Sequence, residues 1–191
     1  MTRNIIFAGV GGQGILSIAT IIGDAATRTG INLKQAEVHG MSQRGGDVQS
    51  NMRLSTEKIW SDLIPEGEAD IIISMEPMEA MRYLPFLEKE GWIITSTDTF
   101  RNIPTYPEDE AVLDELHKIK NLVALPIENI AKENSMPKCA NVILLGMASK
   151  YISIISRDEL RQSIINVFER KGESIVEMNL KAFDLGVELA Q

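Results

Sequence analysis

The chain begins with an apolar run, Ile5-Ile6-Phe7-Ala8, that breaks abruptly into Gly9-Val10-Gly11-Gly12-Gln13-Gly14. The period then changes. Ile15, Ile18, Ala19, Ile22, Ala25 and Ala26 recur at helical spacing, while Ser17, Asp24 and Arg28 take the other faces. Gly30 suits the stop of that helix. A second strand is predicted over 32–38. Strand, glycine-rich turn, helix and strand together open a nucleotide-binding-type α/β fold.

Further along, 39–47 reads as a polar, glycine-rich loop and 48–54 as a strand with Ser50, Asn51 and Arg53 as its polar members. Ile71-Ile72-Ile73 marks a buried strand over 71–74. Pro77 suits the first turn of a helix running to about Tyr83. A strand follows at 92–95. Pro104 and Pro107 interrupt the next stretch, a helix is expected over 109–120, and a strand over 122–126. Helices are then predicted at 127–133, 140–154, 158–168 and 174–189, with Gly172 separating the last two. Strands at 4–8, 32–38, 71–74, 92–95 and 122–126 alternate with helices, which favours a parallel sheet covered on both faces. The strand at 48–54 follows too closely for a helical crossover and is expected as an antiparallel addition. The fold class expected is therefore a Rossmann-like, doubly wound α/β domain over residues 1–191. Its sheet is mostly parallel, with helices on both faces.

Charge and cysteine content narrow the chemistry. A net charge of −8 argues against a surface that neutralises nucleic-acid phosphates. No apolar run approaches the roughly 18 residues that cross a bilayer. The opening Met1–Phe7 reads as a strand rather than a signal peptide, so a cytoplasmic location without membrane contact is expected. Cys139 is the one cysteine, which rules out an intrachain disulfide and a self-contained iron–sulfur cluster. With only His39 and His117 beside it, a structural zinc site is not expected either.

Gly9-x-Gly11-x-x-Gly14 permits a tight turn and close approach of a phosphate to backbone N–H groups. The following helix N-terminus adds partial positive charge. Gly9, Gly11, Gly12, Gln13 and Gly14 are thus candidate ligand contacts; the alternative is a turn that only packs the helix on the sheet. Glu37 ends the second predicted strand where a dinucleotide enzyme holds its ribose hydroxyls, although such a Glu is often simply solvated. Glu76 and Glu79 form a carboxylate pair at a helix start, where favouring the helix dipole outweighs acid–base chemistry. His39 is expected as a hydrogen-bonded loop residue and Cys139 as a packed thiol.

The more specific pattern is longer. Gly9–Gly14 combines with Glu37-Val38-His39-Gly40-Met41-Ser42-Gln43-Arg44-Gly45-Gly46, then Val48, Ser50 and Arg53. Glu76-Pro77-Met78-Glu79-Ala80 and Asn141-Val142-Ile143-Leu144-Leu145-Gly146 complete it. Over nearly its whole length the chain resembles the gamma domain of pyruvate and other 2-oxoacid:ferredoxin oxidoreductases. A free-standing chain of this size is most similar to the small subunits of the indolepyruvate branch.

The resemblance implies that an aryl 2-oxoacid, coenzyme A and oxidised ferredoxin give an aryl-acetyl-CoA, carbon dioxide and reduced ferredoxin. It implies that thiamine diphosphate, Mg and iron–sulfur clusters sit on a large alpha subunit, with coenzyme A bound in the assembled complex and ferredoxin met through it. This chain alone would bind no cofactor and supply no catalytic residue or metal ligand. No Gly-Asp-Gly start of a thiamine diphosphate motif occurs in it. Within that frame, Gly45 and Gly46 can form an anion nest and Arg44 can add a bidentate charge, for a coenzyme A phosphate or a partner carboxylate. A tight turn with a solvated Arg is the alternative. Pyruvate, 2-oxoglutarate and branched-chain 2-oxoacids remain open as substrates. An independent NAD(P)-binding oxidoreductase is the rival class, but 191 residues leave little room for a substrate domain.

Overall fold

The structure, a computed structural model, describes residues 1–39 and 45–190, with only the backbone of His39. The strands are β1 (Thr2–Val10), β2 (Asn32–His39), β3 (Asp47–Ser55), β4 (Ala69–Ser74), β5 (Leu87–Ser96) and β6 (Leu122–Leu125). The helices are α1 (Ile15–Thr29), α2 (Pro77–Arg82), α3 (Asp109–Leu116), α4 (Ile127–Glu133), α5 (Ala140–Ile152), α6 (Arg157–Phe168) and α7 (Glu173–Leu189). Short 3-10 turns at Leu84–Phe86 and Glu169–Lys171, which the sequence pattern did not suggest, finish α2 and α6.

One sheet runs in the order β2-β3-β1-β4-β5-β6. β1, β4, β5 and β6 pair in parallel, whereas β3 is antiparallel to both of its neighbours. The predicted antiparallel strand therefore exists, but it is not appended: it lies between β1 and β2. The short connection from β2 makes a hairpin, and Val48, Ser50, Met52 and Leu54 are buried against α1 and the core beneath, as an interior strand requires. The expected β1–α1–β2 unit is thus split.

Strand alternation sends Ile5, Phe7, Ile71, Ile73 and Ile94 toward α1, α4, α5, α6 and α7, and Ile6, Ala8, Ile72 and Ile93 toward α2 and Tyr83. Helices cover both faces, as the doubly wound class demands, with the heavier layer on the first. α5 is buried on almost every side. It meets α7 where Gly146 faces Gly186: a Cβ built on Gly146 would overlap the Phe183 carbonyl and stand 3.0 Å from Gly186 Cα. β5 starts earlier than its apolar core suggests, because Glu88, Lys89 and Glu90 form an exposed extension. α3 is shorter than the predicted 109–120 helix and ends at His117. Among the described residues no helix is long and apolar enough to cross a membrane.

Candidate functional site

Because β1, β4, β5 and β6 run the same way, the segments that follow them gather at one sheet edge, where α/β folds place ligands. The turn after β1 holds Gly12 at φ 104° and Gly14 at φ 77°, conformations that favour glycine. Gln13 turns back into the protein. Its Oε1 accepts the Val10 N–H at 2.8 Å and its Nε2 donates to the Met75 carbonyl at 3.4 Å, which ties the ends of β1 and β4. Gly9 leaves room for that amide, since a Cβ there would lie 3.2 Å from Gln13 Oε1. On the other side of the turn Asn141 Nδ2, in the first turn of α5, donates to the Gly14 carbonyl at 3.1 Å.

The second glycine segment joins the first. The Gly11 N–H donates to the Gly46 carbonyl at 2.8 Å, and the Gly45 N–H to the Gly11 carbonyl at 3.4 Å. These bonds tie the loops to each other and commit the Gly45 N–H to the first loop rather than to an open point. Arg44, proposed from sequence as the charged partner of this segment, lies outside the described residues, as do Gly40, Met41, Ser42 and Gln43.

Below the turn opens a cavity of about 850 Å³, within the range of small-molecule sites. Gly12, Gln13, Gly14 and Ser17 line one wall, and Lys132, Lys138, Asn141 and Lys171 others. Glu128 is the one acidic side chain among the described lining residues, so a protein of net charge −8 presents a locally basic cavity here. The N-terminal turns of α1, α5 and α7 carry no side-chain cap, which leaves their first N–H groups for water or a ligand. The three lysines sit on α4, on the α4–α5 connection and before α7, and sequence reading passed over them because nothing local groups them. Cys139 also lines the cavity but is 3% exposed, and burial pushes its thiol up, so it is packed and protonated.

The two carboxylates after β4 have separate jobs. Glu76 caps α2, accepting the Glu79 N–H at 2.8 Å, the Phe100 N–H at 3.4 Å and the Tyr106 hydroxyl. Burial pushes its carboxyl upward against the opposing pull of those hydrogen bonds, and the Glu79 charge adds to the rise. Tyr106 is pushed well above the usual phenol range, first by burial and then by its bond to Glu76. Glu79 instead accepts from two guanidinium nitrogens of Arg82, Nε at 2.9 Å and Nη2 at 3.0 Å. Sequence favoured a helix-dipole role for both; in the structure Glu76 is the N-cap of α2 and Glu79 lies in its first turn. Glu37 accepts from Gln35 Nε2 at 2.6 Å, and the interposed β3 sets its strand two spacings from β1, away from the position a ribose ligand needs. Among the described residues no three metal-ligating side chains gather.

The sequence matches the pyruvate ferredoxin/flavodoxin oxidoreductase family over residues 4–189. The chain belongs to this family. It is 36% identical to the indolepyruvate oxidoreductase subunit IorB of Thermococcus kodakarensis, over 98% of this chain and 96% of that one. Among solved structures, this family member is similar to the gamma subunit of a keto/oxoacid ferredoxin oxidoreductase from Geobacter sulfurreducens, with a TM-score of 0.74, 25% identity, and 100% and 97% of the two chains covered. It also shares its fold with part of a 2-oxoglutarate:ferredoxin oxidoreductase from Magnetococcus marinus, solved with 2-oxoglutarate, coenzyme A and succinyl-CoA bound. There the TM-score is 0.77 at 23% identity, over 99% of this chain and 31% of that one.

Proposed function

We propose that the chain is the small subunit of an indolepyruvate:ferredoxin oxidoreductase, working as one domain with a large alpha subunit. The complex cleaves the bond between the carboxylate and carbonyl carbons of an aryl 2-oxoacid and releases carbon dioxide. It joins the remaining acyl group to the coenzyme A sulfur and passes the electron pair to oxidised ferredoxin. The observation that carries this reading is the end-to-end similarity, at 36% identity, to a subunit of that specificity. Cys139 alone cannot ligate an iron–sulfur cluster, so this chain's residues do not fit that group, and the clusters and thiamine diphosphate with its Mg belong to the partner.

The part assigned to this chain is reception of coenzyme A. The coenzyme's phosphates suit a basic cavity beside a glycine turn and uncapped helix N-termini. Gly12 and Gly14 let the coenzyme approach the backbone, Gly9, Gly11 and Gln13 hold the turn, and Lys132, Lys138 and Lys171 supply charge. Gly45 and Gly46 support the turn from behind, with Arg44 adjoining them in sequence.

Substrate choice is tested by purifying the chain with its co-expressed large subunit and measuring kcat/KM for ferredoxin reduction with several 2-oxoacids. Indolepyruvate should exceed pyruvate, 2-oxoglutarate and 2-oxoisovalerate by at least tenfold, the size of about 1.4 kcal/mol of selective binding. A preference for one of the other three would overturn the aryl assignment.

A further inference from the structure

Residues 97–108, between β5 and α3, have no ladder or helix to hold them in place. Individual hydrogen bonds hold them instead: Asp98 accepts the Glu128 N–H at 2.7 Å, the Thr99 hydroxyl donates to Asp109 at 2.9 Å, and a buried carboxylate takes two further donors. Glu76 is 1% exposed, and both Phe100, through its N–H, and Tyr106, through its hydroxyl, donate to it. Two points of the segment therefore converge on one side chain at the start of α2. A carboxylate suits this task because its two oxygens accept several donors at once, here including the Glu79 N–H that begins the helix.

From the segment fixed in this way, Asn102 reaches across the sheet edge. Its Nδ2 donates to the Gly45 carbonyl at 3.0 Å. Gly45 has φ 80° and no side chain, so neighbouring contacts must set the direction of its carbonyl and N–H. Its N–H continues the chain of bonds to the Gly11 carbonyl, and Gly11 returns its own N–H to Gly46. An unbroken path of hydrogen bonds thus runs from Glu76, through the 97–108 segment, to Gly45 and on to the turn that opens α1.

We propose that Asn102, held by Glu76 and Tyr106, is a positioning residue for coenzyme A. It fixes the Gly45–Gly46 segment, and through it the Gly11–Gly14 turn, in the geometry that receives the coenzyme's phosphates. The inference rests on the glycine turn and its cavity being the coenzyme A site. Asn102 lies in an irregular, partly exposed segment and bonds a partly exposed carbonyl, so its substitution should leave the fold standing. Its effect falls on binding of one substrate.

The test uses the co-expressed complex. Asn102→Asp keeps the side-chain shape and removes both N–H donors; Tyr106→Phe removes one of the anchors on Glu76. Each should raise KM for coenzyme A roughly three- to tenfold, the scale of one hydrogen bond. Each should leave kcat, KM for the 2-oxoacid and co-elution of the subunits unchanged. Lys138→Gln separates the two claims, because it alters the cavity and not the hydrogen-bond path. A raised coenzyme A KM in Lys138→Gln with a normal one in Asn102→Asp overturns the positioning role and keeps the site. Normal values in both overturn the site as well. If Tyr106→Phe fails to fold, Asn102→Asp decides alone, and loss of assembly in Asn102→Asp would make the residue structural and overturn the proposal.

Discussion

Glu76 shows how much a single residue's environment adds to its sequence context. From sequence it was one of two acids near a helix start. In the structure it is buried, caps α2 and anchors the segment that carries Asn102. Its partners stand 24 and 30 residues away, in a stretch with no period to read, so no local pattern could have revealed them. The glycine turn was legible for the opposite reason: positive φ at Gly12 and Gly14 is a local demand that selects a residue type. Glu76 also makes a pH prediction. Burial raises its carboxyl above the ordinary 4.5, so the folded state holds the proton more tightly than the unfolded chain. Stability from the protonated form is fully present below the unfolded value and is lost as pH rises through the folded one. Melting temperatures of wild type and Glu76→Gln across pH 4 to 7 should therefore diverge, with the wild type losing ground above about 4.5 and then levelling. A constant difference over that range would mean that ionising Glu76 carries no penalty.

Among the elements, helix periodicity placed α1, α4, α6 and α7 within a residue or two, because each buries one face. Strand order was less legible. Neither β2 nor β3 encodes in its own alternation which neighbour it takes; the hairpin and the burial of β3 on both sides decide it. The α5–α7 crossing was illegible for the same reason: Gly146 stood only at the end of the 141–146 motif, Gly186 carried no local signal, and only their meeting explains them. Gly146→Ala should cost on the order of 3 kcal/mol or more, at or beyond the usual overpacking range, since its methyl would overlap backbone that cannot rotate away. Gly23→Ala in α1 is the contrast. Its methyl would meet only Leu33 Cδ2, at 3.5 Å, so the substitution should stabilise by about 0.5–1 kcal/mol through reduced freedom of the unfolded chain. Denaturant melts of the two variants check both. A Gly146→Ala protein as stable as wild type would mean that the two helices do not cross this closely.

For the whole molecule, the fold class and family were readable because the glycine fingerprint, the 39–53 segment and the later helix motif together span most of the chain. The basic cavity was not, since Lys132, Lys138 and Lys171 come together only when α4, α5 and α7 pack around the turn. On the reading proposed above, the basic, glycine-edged cavity receives coenzyme A and the redox centres lie on the partner, since one buried cysteine cannot ligate a cluster. The most direct measurement of that division is reconstitution. The purified chain should be free of iron and labile sulfide and inactive toward 2-oxoacids. Mixed with its large subunit it should co-elute and restore ferredoxin reduction that requires both indolepyruvate and coenzyme A. Stoichiometric iron or 2-oxoacid-dependent electron transfer in the chain alone, or separate elution of the two subunits at high concentration, would contradict the account.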